Sequence, residues 1–467
     1  MKTLRTFTID DQLRFAKLSG DNNPMHTDPG FARRLMLGKI VVHGVHTLMW
    51  GLDIALAENK TLSHISQLKV KFAKAIGIDE EVSLEWEWKG ASLSLKAHVR
   101  HELAMTVRAV FKSESIDAPL VSRSRFDKDV LPNDADSLEL GLRENLQLTL
   151  DSSLCKSLFP ELLSRLPDAQ TAAILLTSKT IGMHCPGLHS IFSGISLTVP
   201  GERPEYARYE LIDFDERFSF ATLDFQTPLL TGTLTAFQRP KPVEQPDFSA
   251  LSQMVENNEF NESRALVIGG SRGLGEVTAK LLAAGGADIR ITYHSGKAEA
   301  DKLCTEIAEH GRSCSCFQLD ISSPDQGMDA ILEDGWLPTD VYYYPTPPIF
   351  QGTAGKFSQE LFEQFCLFYV SAFSSILTRL RETGSAFRVL YPSTVAVDEL
   401  PPNMMEYAAA KTAGESICKS LSRQLGDLAI TITRFPRLDT DQTVSLYPVR
   451  NEPPAPLILA TLREMSN

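Results

Sequence analysis

The 467-residue chain lacks most of what ties a protein to a membrane, a secretory route or nucleic acid. No uninterrupted apolar run approaches the length of a bilayer span, so no membrane partner is expected. The N-terminal MKTLRTFTIDD has no apolar stretch of the kind a signal peptide needs, and a cytoplasmic protein is expected. The C-terminal REMSN carries no peroxisomal or reticulum-retention signal. Lys and Arg number 46 against 59 Asp and Glu, a net charge of -13, with no basic stripe to neutralise phosphates. That balance disfavours a nucleic-acid partner. Cysteine is scarce: seven residues, at 155, 185, 304, 314, 316, 366 and 418. Their odd number and loose spacing argue for reduced thiols rather than a disulfide framework. Cys314-x-Cys316 has the look of a metal or redox pair, but no second pair stands at ligand spacing. It reads as small side chains in or near a strand, and no metal site is expected.

What is present fits a globular protein of two to four domains, with 43% hydrophobic and 22% charged residues. Two stretches match at a fixed offset of 143 residues: HGVHTLMWGLDIAL from His43 and PGLHSIFSGISLTV from Pro186. Gly44, His46 and Gly51 pair with Gly187, His189 and Gly194. The apolar positions step by three, one and three, which predicts a helix in each copy. Alternating runs follow both: QLKVKFA, EVSLEWEW, LSLKAHV and AMTVRAVF after the first; ARYELIDF, FSFATLDF and LLTGTLTAF after the second. A helix followed by antiparallel strands, occurring twice, predicts two copies of one α+β unit.

Only the first copy is preceded by SGDNNPMHTDPGF, residues 19–31. A carboxylate and an imidazole held together can position and deprotonate a water, and Pro24 stiffens the loop between them. The competing reading is a helix N-cap, for which Asp21, Asn22 and Asn23 are all suited. The longer stretch FAKLSGDNNPMHTDPGFARRLMLGKIVVHG resembles the signature of MaoC-like hydratases, the (R)-specific enoyl-CoA hydratase branch of the hotdog fold. Phe15, Ser19, Gly20, Asp21, Asn23, Pro24, His26, Asp28, His43 and Gly44 fall on that pattern, and Met25 replaces its usual aliphatic residue. The resemblance implies that Asp21 and His26 are the catalytic pair, activating a water that adds across an enoyl thioester, or running the reverse dehydration. It implies that Asn23 supports the loop and that the Gly44 backbone N–H polarises the thioester carbonyl, as an N-terminal helix amide can. His43 and His46 are expected to be structural. The second copy is expected to be a non-catalytic hotdog, with His184 and Cys185 structural.

After the polar, proline-bearing segment 243–262, expected to be a linker with one short helix, the pattern changes. RALVIGGSRGLGEVTAKLLAAGGADIRITYHS reads as strand, glycine turn, helix, strand. Gly269, Gly273 and Gly275 follow G-x-x-x-G-x-G, and Tyr407-x-x-x-Lys411 stands about 130 residues downstream. Together these resemble the short-chain dehydrogenase/reductase family. The resemblance implies that Ser393, or its neighbour Thr394, acts with Tyr407 on a substrate carbonyl, and that Lys411 lowers the tyrosine pKa and holds the ribose. Gly269, Ser271, Arg272, Gly273, Leu274, Gly275 and Asp320 are implied in cofactor binding. No acid ends the second strand, and Arg272 and His294 are placed to meet a 2′-phosphate, so NADP(H) is the expected cofactor. The chain departs from the family at several places: Ile268 stands at its threonine position, VYYYPTPPI replaces its N-N-A-G stretch, Tyr369 replaces its helix asparagine, Ser393 lies 14 rather than 13 before Tyr407, and Arg437 replaces the glycine of its P-G turn.

The expected architecture is multidomain: an α+β double hotdog, with copies at 1–115 and 125–242, then an α/β Rossmann-type doubly wound parallel sheet over 263–467. The expected function is a bifunctional enzyme on acyl-CoA or acyl-carrier-protein thioesters, a hydratase/dehydratase with an NADP-dependent 3-ketoacyl reductase. The alternatives are a hydratase with a non-catalytic nucleotide-binding or dimerising module, and a partner-binding scaffold. Homo-oligomerisation is expected from both resemblances.

Overall fold

The computed structural model describes residues 1–35, 37–123, 129–446 and 449–466. The expected start of the second copy, at residue 125, lies outside them. The chain forms two compact units, Met1–Lys241 and Pro242–Val444, the latter together with the segment from Val449.

The strands of the first unit are β1 (Lys2–Thr6), β2 (His64–Phe72), β3 (Glu81–Lys89), β4 (Ser92–Val99), β5 (Glu102–Lys112), β6 (Ser122–Arg123), β7 (Arg143–Leu146), β8 (Thr149–Leu150), β9 (Ser190–Thr198), β10 (Ala207–Asp215), β11 (Phe220–Gln226) and β12 (Thr231–Gln238). Ten of them make one antiparallel sheet in the order β1-β3-β4-β5-β2-β9-β12-β11-β10-β7, while β6 and β8 pair separately. From the seam between β2 and β9 the order reads alike in both directions, so the sheet is built from two equivalent halves. The alternation of the sequence is what buries one sheet face: Leu93, Leu95, Ala97 and Val99 of β4 point inward, with Ser92, Ser94 and Lys96 outward. Each half holds one helix against this face, Gly44–Leu56 and Asp168–Lys179. Both helices are buried almost all round, as elements enclosed by a curved sheet must be.

The repeat is therefore real, but its expected alignment is wrong. The segment from Pro186 is not a helix. After a short turn at Gly187–His189 it becomes β9, paired with β2 on one side and β12 on the other. The run SIFSGISLT is short and rich in isoleucine, and its apolar spacing satisfies helix and strand alike; two neighbouring strands settle the choice. The helix of the second half is Asp168–Lys179, extended by a π-helical turn at Thr180–His184.

The second unit has six parallel strands, β13 (Arg264–Ile268), β14 (Asp288–Tyr293), β15 (Cys314–Gln318), β16 (Asp340–Tyr343), β17 (Arg388–Thr394) and β18 (Ala429–Phe435). Their order is β15-β14-β13-β16-β17-β18. This is the doubly wound order that places a nucleotide at the carboxyl ends of the strands, where the order reverses. The segment 243–262 carries its expected short helix, Phe248–Ser252, but it is more than a linker, since Phe248, Leu251 and Phe260 enter the core of this unit. One helix, Gln359–Arg381, is by length and composition apolar enough to cross a membrane. Its apolar residues are interleaved with polar ones, which hides them from a search for unbroken runs. Leu361, Phe365, Tyr369, Phe373 and Ile376 pack into the unit's core.

Candidate active sites

In the first unit the helix Ile9–Ser19 begins with a capping box between Thr8 and Asp11 and ends at Gly20, whose left-handed conformation (φ 74°) reverses the chain. Asp21 is thereby turned into the interior, where it is 2% exposed. Asn23 caps the next short turn, Pro24–Thr27, by accepting from the Met25 N–H. Its amide also donates to the carbonyls of Gly182, Gly187 and Leu188 at 3.0, 3.2 and 3.2 Å. Of the three cap candidates, Asn23 takes the role and Asp21 caps no helix, while Asp28, not among them, caps the next turn, its Oδ1 accepting from Gly30 and Phe31.

His26 Nδ1 lies 2.6 Å from the Val41 carbonyl. A carbonyl only accepts, so Nδ1 carries the proton and Nε2 keeps a free lone pair. Burial lowers the His26 pKa against the opposing pull of Asp21. Burial raises the pKa of Asp21, opposed by His26 and by hydrogen bonds from Ser178 and Asn23. A base with a bare Nε2 beside a buried carboxylate can hold a water and take its proton. Gly44 opens the helix Gly44–Leu56, and its N–H has no acceptor among the described residues. A Cβ there would stand 2.9 Å from the Phe72 ring, so a glycine keeps this helix end open.

The sequence reading missed the contribution of the second half. Ser178 Oγ donates to Asp21 Oδ2 at 2.7 Å, and a Cβ at Gly182 would lie 2.2 Å from Asp21 Oδ1. No local sequence pattern marks either residue. His46 is structural as expected: it stacks on Phe15 at 4.6 Å between ring centroids, and burial lowers its pKa to about 3. His43 does more than pack. Its ring stacks on His26 at 3.7 Å, and its nitrogens face Gln12 Oε1 at 3.0 Å and the Asp21 carbonyl at 3.1 Å. Asp21, His26 and His43 each bring one potential metal-ligating atom within 4.8 Å of the others, which the sequence did not reveal. Both His43 nitrogens already face oxygens, so only His26 and Asp21 have donors to spare. That set is better suited to acid–base work than to holding an ion.

In the second unit the glycine turn lies between β13 and the helix Gly273–Ala284. Gly269 and Gly273 have φ of 76° and 59°, and a Cβ at Gly275 would meet the Gly269 carbonyl at 2.3 Å. Ser271 and Leu274 belong to the same turn, whose helix N–H groups suit a phosphate. Arg272 faces Asp441 at 3.7 Å. His294 follows β14, and Asp320 follows β15, where Ser322 donates to its Oδ1.

Tyr407 and Lys411 lie one turn apart on the helix Met405–Gln424. Burial pushes the Tyr407 pKa up to about 12, opposed by a hydrogen bond with Thr394. Burial also brings Lys411 down to about 7. Ser393 has its hydroxyl committed to another partner, which counts against its expected role. Its hydroxyl donates to Glu415 Oε1 at 2.6 Å, and Glu415 is clamped by Arg434 through two 2.7 Å bonds. Thr394, the alternative, is the residue hydrogen-bonded to Tyr407. Tyr369 closes the site from the other side: Lys411 Nζ sits 3.9 Å above its ring and donates to the Pro392 carbonyl at 2.6 Å. Tyr369 itself is hydrogen-bonded to Thr346 of the proline-rich loop at 2.6 Å.

Residues 2–109 match the family model of the MaoC like domain, and residues 263–335 that of the short chain dehydrogenase. The chain carries a MaoC-like domain followed by a short-chain dehydrogenase domain. Among curated proteins, a cyclic-di-GMP-binding biofilm dispersal mediator protein of Escherichia coli is 25% identical over 196 residues, covering 41% of this chain and 80% of that protein. A short chain dehydrogenase/reductase of Cryptosporiopsis is 28% identical over 174 residues, 36% of this chain. The chain spans 65% of that relative, just under two thirds. An NADPH-dependent aldehyde reductase of Arabidopsis thaliana is 26% identical over 193 residues, covering 36% of this chain and 68% of that one. Similar solved structures include the angucycline C-6 ketoreductase LanV with bound NADP, at 18% identity and a TM-score of 0.41 over 45% of this chain and 91% of that one. A short chain dehydrogenase from Burkholderia cenocepacia in complex with NADP gives 24% and 0.38, over 44% and 90%.

Proposed function

We propose that the chain is a bifunctional acyl-thioester enzyme: an (R)-3-hydroxyacyl dehydratase/enoyl hydratase in its first unit and an NADP(H)-dependent 3-ketoacyl reductase in its second. The observation that carries the reading is the buried Asp21–His26 pair, with Nδ1 of the histidine committed to Val41 and Nε2 bare. In hydration, a water between Asp21 and His26 loses a proton to His26 Nε2 and adds to C3 of the enoyl thioester. The Gly44 N–H takes up the charge developing on the thioester oxygen, and the proton held by His26 passes to C2. Dehydration retraces these steps.

The residues of the second unit fit NADP(H), and its relatives include a protein named for NADPH dependence. The glycine turn and the N-terminus of Gly273–Ala284 would hold the pyrophosphate, and Arg272 and His294 a 2′-phosphate. When bound, the cofactor supplies the hydride. Tyr407 gives its hydroxyl proton to the substrate oxygen while Thr394 hydrogen-bonds the same atom, and Lys411 favours the ionised tyrosine that results. The two reactions share the 3-hydroxyacyl thioester.

One observation favours a second reading, hydration alone. Lys411 is held by Pro392 and covered by Tyr369, so binding a ribose requires Nζ to exchange partners. The test is to incubate the full chain with a short 3-ketoacyl-CoA and NADPH and identify products by mass. Hydroxyacyl and enoyl products support the first reading. An untouched ketoacyl substrate, with added enoyl-CoA still hydrated, supports the second, and failure of both conversions refutes both.

A further inference from the structure

Three of the seven cysteines gather on one side of the second unit. Cys304 lies on the helix Lys297–Glu309, and Cys314 and Cys316 lie two apart on β15, so they share one face of that strand. β15 is the edge of its sheet. The sulfurs of Cys304 and Cys314 are 3.3 Å apart. Cys316 Sγ is 3.4 Å from Asp301 Oδ1, and Asp301 is itself paired with Lys297. All three thiols are partly exposed, whereas Cys155, Cys185 and Cys418 are buried elsewhere.

We propose that Cys304 and Cys314 are a thiol–disulfide exchange site whose co-reactant is a low-molecular-weight disulfide of the glutathione class. The contact already brings the sulfurs within about 1.3 Å of bonding separation, and the loop between helix and strand is short. The three thiols are also differentiated. Hydrogen bonding with Cys314 holds Cys304 below the usual thiol range, while the same contact and burial push Cys314 up. Burial and Asp301 push Cys316 up to about 12. One sulfur of the pair attacks as the thiolate, here Cys304 on the helix. Its sulfur displaces one thiolate from the small disulfide, giving a mixed disulfide at Cys304. Cys314 then loses its proton and attacks Cys304 Sγ, forming the protein disulfide and expelling the second small thiolate. Two protein thiols are oxidised, one small disulfide is reduced to two thiols, and the two protons end on those thiols. Cys316 stays a thiol. The product fastens the edge strand β15 to the helix Lys297–Glu309.

The experiment equilibrates the full chain in mixtures of glutathione and glutathione disulfide, quenches with acid, alkylates with iodoacetamide and maps the peptides by mass. The expected result is a Cys304–Cys314 linkage that grows with the oxidised fraction, reverses with dithiothreitol and leaves Cys316 alkylated. In Cys314→Ser the glutathione adduct should persist on Cys304. Full alkylation of all three thiols in the most oxidising mixture overturns the proposal. So does a linkage to Cys316, or the absence of an adduct at Cys304 in the variant. The wild-type measurement alone decides the matter if the variant does not fold.

Discussion

Replacing Ser178 by alanine removes the shortest hydrogen bond made to the Asp21 carboxylate. The other hydrogen bond to that group is longer: the Asn23 N–H donates at 3.3 Å. Ser178 donates at 2.7 Å inside the protein. A bond to a charged buried acceptor is worth about 1.5–3 kcal/mol, but a protonated Asp21 would recover part of it by donating to the same hydroxyl. About 0.7–1.4 kcal/mol then distinguishes the two protonation states, or about 0.5–1 pH unit. The proposed hydration needs Asp21 ionised and His26 Nε2 bare, so the pair sets the acid limb of the reaction. The expected result for S178A is an acid limb of kcat/KM moved to higher pH by about 0.5–1 unit, with the plateau above it within about threefold of wild type. Loss of absorbance of a short enoyl-CoA on hydration, followed across pH, reads this directly. An acid limb identical to wild type refutes the assigned role of Ser178, whether or not the plateau falls.

Asp21→Asn should lower hydration by about 10²–10⁴-fold while raising thermal stability. Burial raises the folded pKa of Asp21, so the fold favours the protonated acid. The stability this gives at low pH is lost as pH rises through the folded value, and the neutral amide restores it at pH 7. Calorimetry should show Tm up by about 2–4 °C for each kcal/mol recovered, and a fall would show that the carboxylate stabilises the fold. Gly182→Ala should abolish hydration with little loss of secondary structure, because the added methyl would overlap Asp21 Oδ1; near-normal turnover with unchanged circular dichroism would show that the site yields at no cost. For 3-ketoacyl reduction, Thr394→Val should cost at least about tenfold in kcat and Ser393→Ala far less, since Ser393 is held by Glu415. The opposite order, measured by NADPH consumption, would restore Ser393 to the site.

The opening loop was legible because its chemistry is local. Gly20, Asp21, Asn23, Pro24 and His26 lie within seven residues, and each geometric demand falls on a neighbour in sequence. Ser178 and Gly182 reach the same carboxylate from more than 150 residues away, by way of the sheet seam, and no local pattern marks them. The misplaced second helix had a different cause. The period of Leu188, Ile191, Phe192 and Ile195 does not distinguish helix from strand over so short a run, and only pairing with β2 and β12 decided it. Ser393 and Thr394 are neighbours at the end of β17 and both meet the helix Met405–Gln424, so only their hydrogen-bond partners, Glu415 and Tyr407, tell them apart. Tyr369 was recognised as a departure from the family. That its ring would cover Lys411 depended on a side-chain direction that sequence does not carry.

The seam between β2 and β9 has a consequence for how this enzyme can change. When a symmetric sheet is assembled from two identical subunits, every substitution is made twice, and each surface must serve in both roles. Here one chain supplies both halves, so the roles are inherited separately. The half that offers Ser178 and Gly182 has no loop like 19–31 and is free to vary wherever it does not touch Asp21 or Asn23. Mutational tolerance should therefore be lopsided, with equivalent positions strict in one half and permissive in the other. Changes in the permissive half can reshape the surroundings of the acid–base pair without altering the pair itself.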